Sequence, residues 1–294
     1  MIATFIPSLA LARQLIDAQF PEYTSLRISE VERQGHDNRT YRLGDNMLIR
    51  MPTAAHYAQK IAIEQDLLPQ LAPHLSLSIP TPLKKGEPCL NYPYPFSIYR
   101  WLPGRSINLL ALTDQAKIQL ALDLAQFLQE LQSINDIPTI APGSHNFWRG
   151  HHVAVYDVNT RTQIAELADF IDASKAMDLW NKSCATRWHC KPVWIHGDLA
   201  IGNMLMESSK LSAIIDFGGV AAGDPACDLT IAWTYLPIKA RDLFIEALNL
   251  DQDTWLRARA WTLWKATYEL CQIDDKHTHQ ANAQKKIIHE VLNA

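Results

Sequence analysis

Two short apolar runs that each end in an aspartate constrain this chain more than any other feature. The first, VWIHGDLAIGN (193–203), sets His196, Gly197 and Asp198 behind a strand-like run and places Asn203 five positions beyond the aspartate. The second, LSAIIDFGG (211–219), reaches Asp216 before a glycine pair. Taken singly, an aspartate after a glycine is turn or cap chemistry. The set says more, because Asp198, Asn203 and Asp216 are all hard oxygen donors. NMLM, ESSK and LSAIID between them predict a hairpin that returns Asn203 toward Asp216. Mg2+ takes such a sparse donor set, with water and phosphate oxygens filling its other positions. A carboxylate just outside that shell can accept a proton from an attacking hydroxyl. The five-residue spacing therefore puts a base and a metal ligand on one loop.

A chain of 294 residues can bury a sizeable core as one large domain or two lobes. Its net charge of −4 lacks the dense positive field of non-specific nucleic-acid binding, so no nucleic-acid partner is expected. The five cysteines, at 89, 184, 190, 227 and 271, have no framework spacing. With no secretory leader evident, they read as reduced thiols in a cytoplasmic protein. Arg13 and Asp17 interrupt the apolar start, and no uncharged stretch reaches the roughly 20 residues of a membrane span. No membrane association is expected.

Periodicity predicts an amphipathic helix over 8–19, strands over 26–32 and 40–51, and a helix over 54–72. A strand over 97–102 runs into Pro103-Gly104, a strong breaker, which sets a boundary near 103 between a strand-rich part and a helical part. Helices are expected over 113–134 and about 157–185, a loop over 135–152, and several helices after Cys227.

HGDLAIGN, IDFGG and GDPACDL together resemble the aminoglycoside phosphotransferase family, small-molecule kinases with the fold of protein kinases. The order of elements fits along nearly the whole chain. The resemblance implies an α+β, protein-kinase-like bilobal fold. Residues 1–103 would form a nucleotide-binding N-lobe with a hinge near 98–104, and 104–294 the C-lobe. It implies Asp198 as catalytic base and Asn203 and Asp216 as magnesium ligands, with His196 and Gly197 shaping the loop and Asp228 bracing it. The cofactors implied are ATP, or GTP, and Mg2+, with nucleotide in the cleft between the lobes. The partner would be a small molecule offering a hydroxyl.

By the same resemblance, RQGHDNRTY (33–41) would lie over the phosphates with Gly35 and Asn38, although it is not a G-x-G-x-x-G sequence. Arg50 stands where a strand lysine is usual, and arginine's planar fork is not equivalent to a compact ammonium. Arg50 is expected to contact the α/β phosphates and to pair with Glu64. The main chain of Arg100 and Leu102 would hold adenine.

Other signals carry less. Cys184, His189 and Cys190 fit no structural zinc spacing. Trp255, Trp261 and Trp264 at helical spacing suit core packing better than an aromatic cage. A polycationic acceptor calls for an acidic pocket, for which Glu166, Asp169, Asp172, Asp178, Asp274 and Asp275 are candidates. A resistance role rests on analogy alone. Two rivals stand beside the kinase reading, a nucleotide-binding pseudokinase without transfer activity and a metal-dependent phosphohydrolase.

Overall fold

The computed structural model describes residues 5–35 and 37–294, which divide into two compact units. One unit holds the chain up to Gly104 together with Ser212–Gly218, and the other holds Arg105–Leu211 and Gly219–Ala294. The segment around Asp216 thus groups with the N-terminal residues rather than with its sequence neighbours.

In the first unit, α1 (Leu9–Gln19) starts where the Ser8 hydroxyl accepts from Leu11 N at 3.2 Å, relieving an unpaired amide of the first turn. Strands β1 (Ile28–Glu30), β2 (Asn38–Leu43), β3 (Met47–Pro52), β4 (Pro82–Gly86) and β5 (Phe96–Arg100) form an antiparallel sheet of order β1-β2-β3-β5-β4. The single strand expected over 40–51 is two strands. Gly44-Asp45-Asn46 is turn chemistry, and Gly44 takes a positive φ of 57° that lets the chain reverse.

Alternation then sorts the side chains of this sheet. Tyr41, Leu43, Ile49, Met51, Phe96 and Ile98 share one buried cluster with Leu11, Ala12, Leu15 and Ile16 of α1. Burying each such large aliphatic side chain contributes roughly 1.5–3 kcal/mol. Arg50, Ser97 and Tyr99 occupy the alternate positions, where they bond to helix α2 (Ala55–Leu71). The buried stripe of α2 contains Ala58, Ile61, Leu67 and Leu68, and among them a carboxylate, Glu64. Alternation thereby commits Arg50 to the face that carries Glu64.

The second unit is mainly helical. Its elements are β6 (Arg105–Ser106), α3 (Asp114–Ser133), α4 (Asp157–Glu166), α5 (Ala173–Ala185), β7 (Val193–Ile195), β8 (Met204–Glu207), β9 (Lys210–Ile214), β10 (Ala221–Gly223), α6 (Ile231–Thr234), α7 (Ile238–Leu248), α8 (Gln252–Cys271) and α9 (His279–Leu292). The chain passes between the units within β9. The helix expected over 157–185 is broken in two, because Asp172 turns its side chain to Lys175 N at 3.0 Å and caps α5. Trp261 and Trp264 are buried, and Trp255 packs edge-on against Trp233 and Phe244. No helix among the described residues is long and apolar enough to cross a membrane.

Candidate active site

Strand β7 pairs antiparallel with β10, matching Ile195 with Ala221 and Val193 with Gly223, and it delivers His196, Gly197 and Asp198 at its end. The loop there is held from its backbone. Both carboxylate oxygens of the fully buried Asp228 accept amides, His196 N at 2.6 Å and Gly197 N at 2.8 Å. Burial holds the Asp228 pKa above its usual value, and His196 and the two amides only partly offset that push. Gly197 has a φ of 80°. A Cβ at Gly197 would collide with the Gly219 carbonyl oxygen, so only glycine fits this crossing. The His196 ring is buried and its Nδ1 accepts from Asp198 N at 3.2 Å, which sets the turn into the aspartate.

Asp198 itself is half-exposed, its side chain 43% accessible. Arg149 Nη1 lies 3.4 Å from its Oδ1 and also donates to the Gly197 carbonyl. Lys265 Nζ lies 3.7 Å from the same oxygen. Asn203 closes the loop, its Nδ2 donating to the Asp198 carbonyl at 2.9 Å. The structure thus brings Asp198, Asn203 and His196 into one bonded loop with Asp228 beneath it. Beside this loop a cavity of about 170 Å3 is lined by Leu199, Ala200 and Ile201 with residues of α8 and α9, among them Lys265, Glu269 and Gln284.

The GDPACDL turn carries a second brace. Asp224 caps the following turn by accepting from Ala226 N at 3.1 Å. It also meets the fully buried Arg257 of α8, at 2.6 Å from Nε to Oδ2 and 3.4 Å from Nη2 to Oδ1.

In the first unit, Arg50 is the centre of an ionic cluster. Its Nη1 donates to Glu64 Oε1 and Oε2 at 3.1 and 3.2 Å, and its Nη2 to Asp216 Oδ1 at 2.6 Å. With its amide oxygen toward the guanidinium, Asn38 accepts from Nη2 at 3.1 Å and Nε at 3.0 Å. Tyr99 adds its hydroxyl to Glu64 Oε2. Burial alone would disfavour the Arg50 charge, yet Glu64 and then Asp216 raise its pKa above the ordinary arginine value. Asp216 has a φ of 67°, a left-handed backbone that is uncommon among non-glycine residues and clusters at functional positions. Lys60, one turn before Glu64 on α2, lies 3.5 Å from Asp37 Oδ2. A Cβ added to Gly218 would sit 3.3 Å from Lys60 Nζ and 3.5 Å from Asp216 Oδ1, so this ammonium borders the Asp-Phe-Gly turn.

Gly35 is exposed, and a Cβ there would lie 3.6 Å from the Asn38 carbonyl oxygen. Its loop is closed by Gln34, which exchanges hydrogen bonds with Thr40 N at 2.9 Å and Thr40 O at 2.8 Å. In the hinge, Arg100 N donates to Thr81 O and Trp101 N to Asn46 O. Leu102 N makes no protein hydrogen bond among the described residues.

Sequence reasoning missed Arg149, Lys265, Lys60 and the pairing of Asp224 with Arg257. Arg149 lies in a loop without periodicity, and Lys265 is far along the chain. Lys60 did carry a signal, its i,i+4 spacing from Glu64 on one helix face. Among the described residues no group of three or more His, Cys, Asp or Glu side chains could hold a metal ion. Asn203, with its amide nitrogen engaged, and Asp216, with its side chain 42% accessible, each carry a hard oxygen donor of the type Mg2+ takes.

Comparison with known proteins agrees with this architecture. The GDP complex of aminoglycoside 2'-phosphotransferase-IIIa superposes with a TM-score of 0.69 at 18% identity, over 98% of this chain and 99% of that one. The streptomycin-ATP-APH(2")-IIa ternary complex gives 0.61 at 17% identity, over 99% and 98%. Macrolide 2'-phosphotransferase MphH from Brachybacterium faecium gives 0.60 at 20% identity, over 95% and 97%. No curated protein matches the sequence significantly. At these identities the structural likeness establishes the fold, a kinase-like one with an antiparallel-sheet unit and a helical unit. A family model described as the phosphotransferase enzyme family, APH, matches residues 29–261, most of the length, and the chain belongs to that family.

Proposed function

We propose that the protein transfers the γ-phosphoryl group of ATP to a hydroxyl of a small molecule. The observation that carries this reading is the Asp198 loop, braced through its backbone by Asp228 and opening beside a cavity. Asp198 accepts the hydroxyl proton as the acceptor oxygen bonds to phosphorus and the bond to the β-phosphate bridging oxygen breaks. Asn203 and Asp216 are the proposed magnesium ligands. When bound, the ion would neutralise phosphate charge. Relatives captured with ATP or GDP support a purine nucleotide, with ATP as the first choice and GTP the alternative.

The Arg50 network refines the nucleotide side. Each guanidinium nitrogen already has a partner, Nη1 on Glu64, Nη2 on Asp216 and Asn38, and Nε on Asn38, so Arg50 chiefly organises the carboxylates. Lys60, which borders the Asp-Phe-Gly turn and pairs with Asp37 at 3.5 Å, is assigned to phosphate oxygens, the part a strand lysine usually takes. Replacing Lys60 with alanine should raise the KM for ATP about tenfold or more, the scale of a hydrogen bond to a charged group. Its ion pair with Asp37 is partly exposed, so the melting temperature should barely move. Steady-state kinetics at varied ATP, beside a thermal melt, checks both. An unchanged KM would remove Lys60 from the site.

The occupied Arg50 also keeps alive a nucleotide-binding role without transfer. Incubation with Mg2+-ATP and a broad set of hydroxyl compounds, read by mass for the gain of one phosphoryl group, separates the two. Stabilisation by ATP with no acceptor ever modified would favour the non-catalytic reading.

A further inference from the structure

The cavity beside Asp198 lies wholly within the helical unit, and its lining is specific in charge and size. Besides apolar side chains it offers the hydroxyls of Thr230, Tyr235 and Thr262, the Gln284 amide, one cation, Lys265, and one anion, Glu269. The anion is already engaged, because Glu269 Oε2 accepts from Gln284 Nε2 at 2.6 Å. The cation is not. Among the described residues the only partner of Lys265 Nζ is Asp198 at 3.7 Å, and its side chain is 40% accessible. Arg149 adds a second positive charge at the same carboxylate.

The acidic side chains that a polycationic acceptor would need are elsewhere. Glu166, Asp169, Asp172, Asp178, Asp274 and Asp275 are all absent from the lining. Asp172 caps α5, Asp178 pairs with Lys182 at 2.7 Å, and Asp275 accepts from His277 N at 2.8 Å. A ligand carrying several ammonium groups would meet two cations, Lys265 and Arg149, against two carboxylates, Asp198 and Glu269, so the site lacks the acidic excess such a ligand calls for. A cavity of about 170 Å3 has room for a small hydroxyl compound.

We infer that the acceptor is a small hydroxyl compound, uncharged or anionic, bound with its hydroxyl toward Asp198 and a carboxylate or second hydroxyl toward Lys265. This rests on the phosphotransferase reading above and narrows its substrate class away from aminoglycosides. The hydroxyls suit a polyol or hydroxy acid, since those of Thr230 and Tyr235 can donate or accept, while Thr262 Oγ1, which donates to Ala258 O at 2.9 Å, can still accept.

The test uses the full chain with Mg2+-ATP and three groups of probes: glycerate and gluconate, glycerol and glucose, and kanamycin and gentamicin. Phosphorylated product is read by mass, and kcat/KM is measured for each. The expected result is transfer to at least one probe of the first two groups, with kcat/KM at least about a hundredfold above either aminoglycoside. Lys265→Glu should raise the KM for that acceptor about tenfold or more while leaving the KM for ATP unchanged. Comparable or faster transfer to kanamycin or gentamicin overturns the inference and leaves the phosphotransferase reading standing. So does an acceptor KM indifferent to Lys265→Glu. ATP stabilisation with transfer to no probe also counts against the acceptor class. If ATP fails to raise the melting temperature at all, the phosphotransferase reading itself falls.

Discussion

Replacing Asp198 with alanine is expected to lower kcat by about 10²–10⁴-fold, the range for losing a positioned general base. The KM for ATP should stay within a few-fold, because nothing in the ionic cluster around Arg50 depends on this side chain. Stability should change by less than about 0.5 kcal/mol, as for other accessible positions. The side chain is 43% accessible, and the loop is held through its backbone by Asp228 rather than through Asp198. Arg149 keeps the Gly197 carbonyl, and Lys265 is accessible enough to be solvated when its partner is removed. Turnover kinetics and a thermal melt of the same preparation decide the matter. Near-normal turnover would remove Asp198 from the chemistry, and a collapsed melt would make it a structural residue.

Asp224→Ala should show the opposite profile, a large loss of stability before any question of catalysis. Arg257 is fully buried and would lose both carboxylate contacts, keeping Thr254 Oγ1 at 2.9 Å and Thr186 Oγ1 at 3.4 Å. Removing one partner of a buried pair costs about 3–5 kcal/mol because it leaves a charge without compensation. That is a large part of the 5–15 kcal/mol by which folded proteins are typically stable. The lost cap on the turn after Asp224 adds to it. The double variant Asp224→Ala/Arg257→Met should recover much of the loss, since it leaves no orphan charge. Urea denaturation midpoints of the two variants give the comparison. A cost below about 1 kcal/mol for Asp224→Ala would mean that the pair behaves like a solvent-exposed one.

Much of the first unit is readable along the chain. The spacing of Leu11, Ala12, Leu15 and Ile16 marks one helix face, and β3 alternates Ile49 and Met51 with Arg50. Where reading failed, a local signal was outweighed by a weaker-looking one. Gly44-Asp45-Asn46 turned an apparent long strand into a hairpin, and one capping aspartate, Asp172, divided an apparent long helix. Neither depends on distant contacts. The assembly of Arg50 with Asp216 does, since the partners are separated by 166 positions and only folding sets them 2.6 Å apart.

By itself the sequence determined which chemical groups the protein has at its disposal and the local frame of each. Strand-length apolar runs with glycine behind them place Asp198 and Asp216 at strand ends, because side-chain periodicity and backbone freedom are local properties. Only the tertiary structure decided what surrounds those groups. It set Arg149 and Lys265 at Asp198, placed Lys60 beside the Asp-Phe-Gly turn, and sealed Asp224 against Arg257. Charge and burial act through space, and the residues that supply them are distant along the chain.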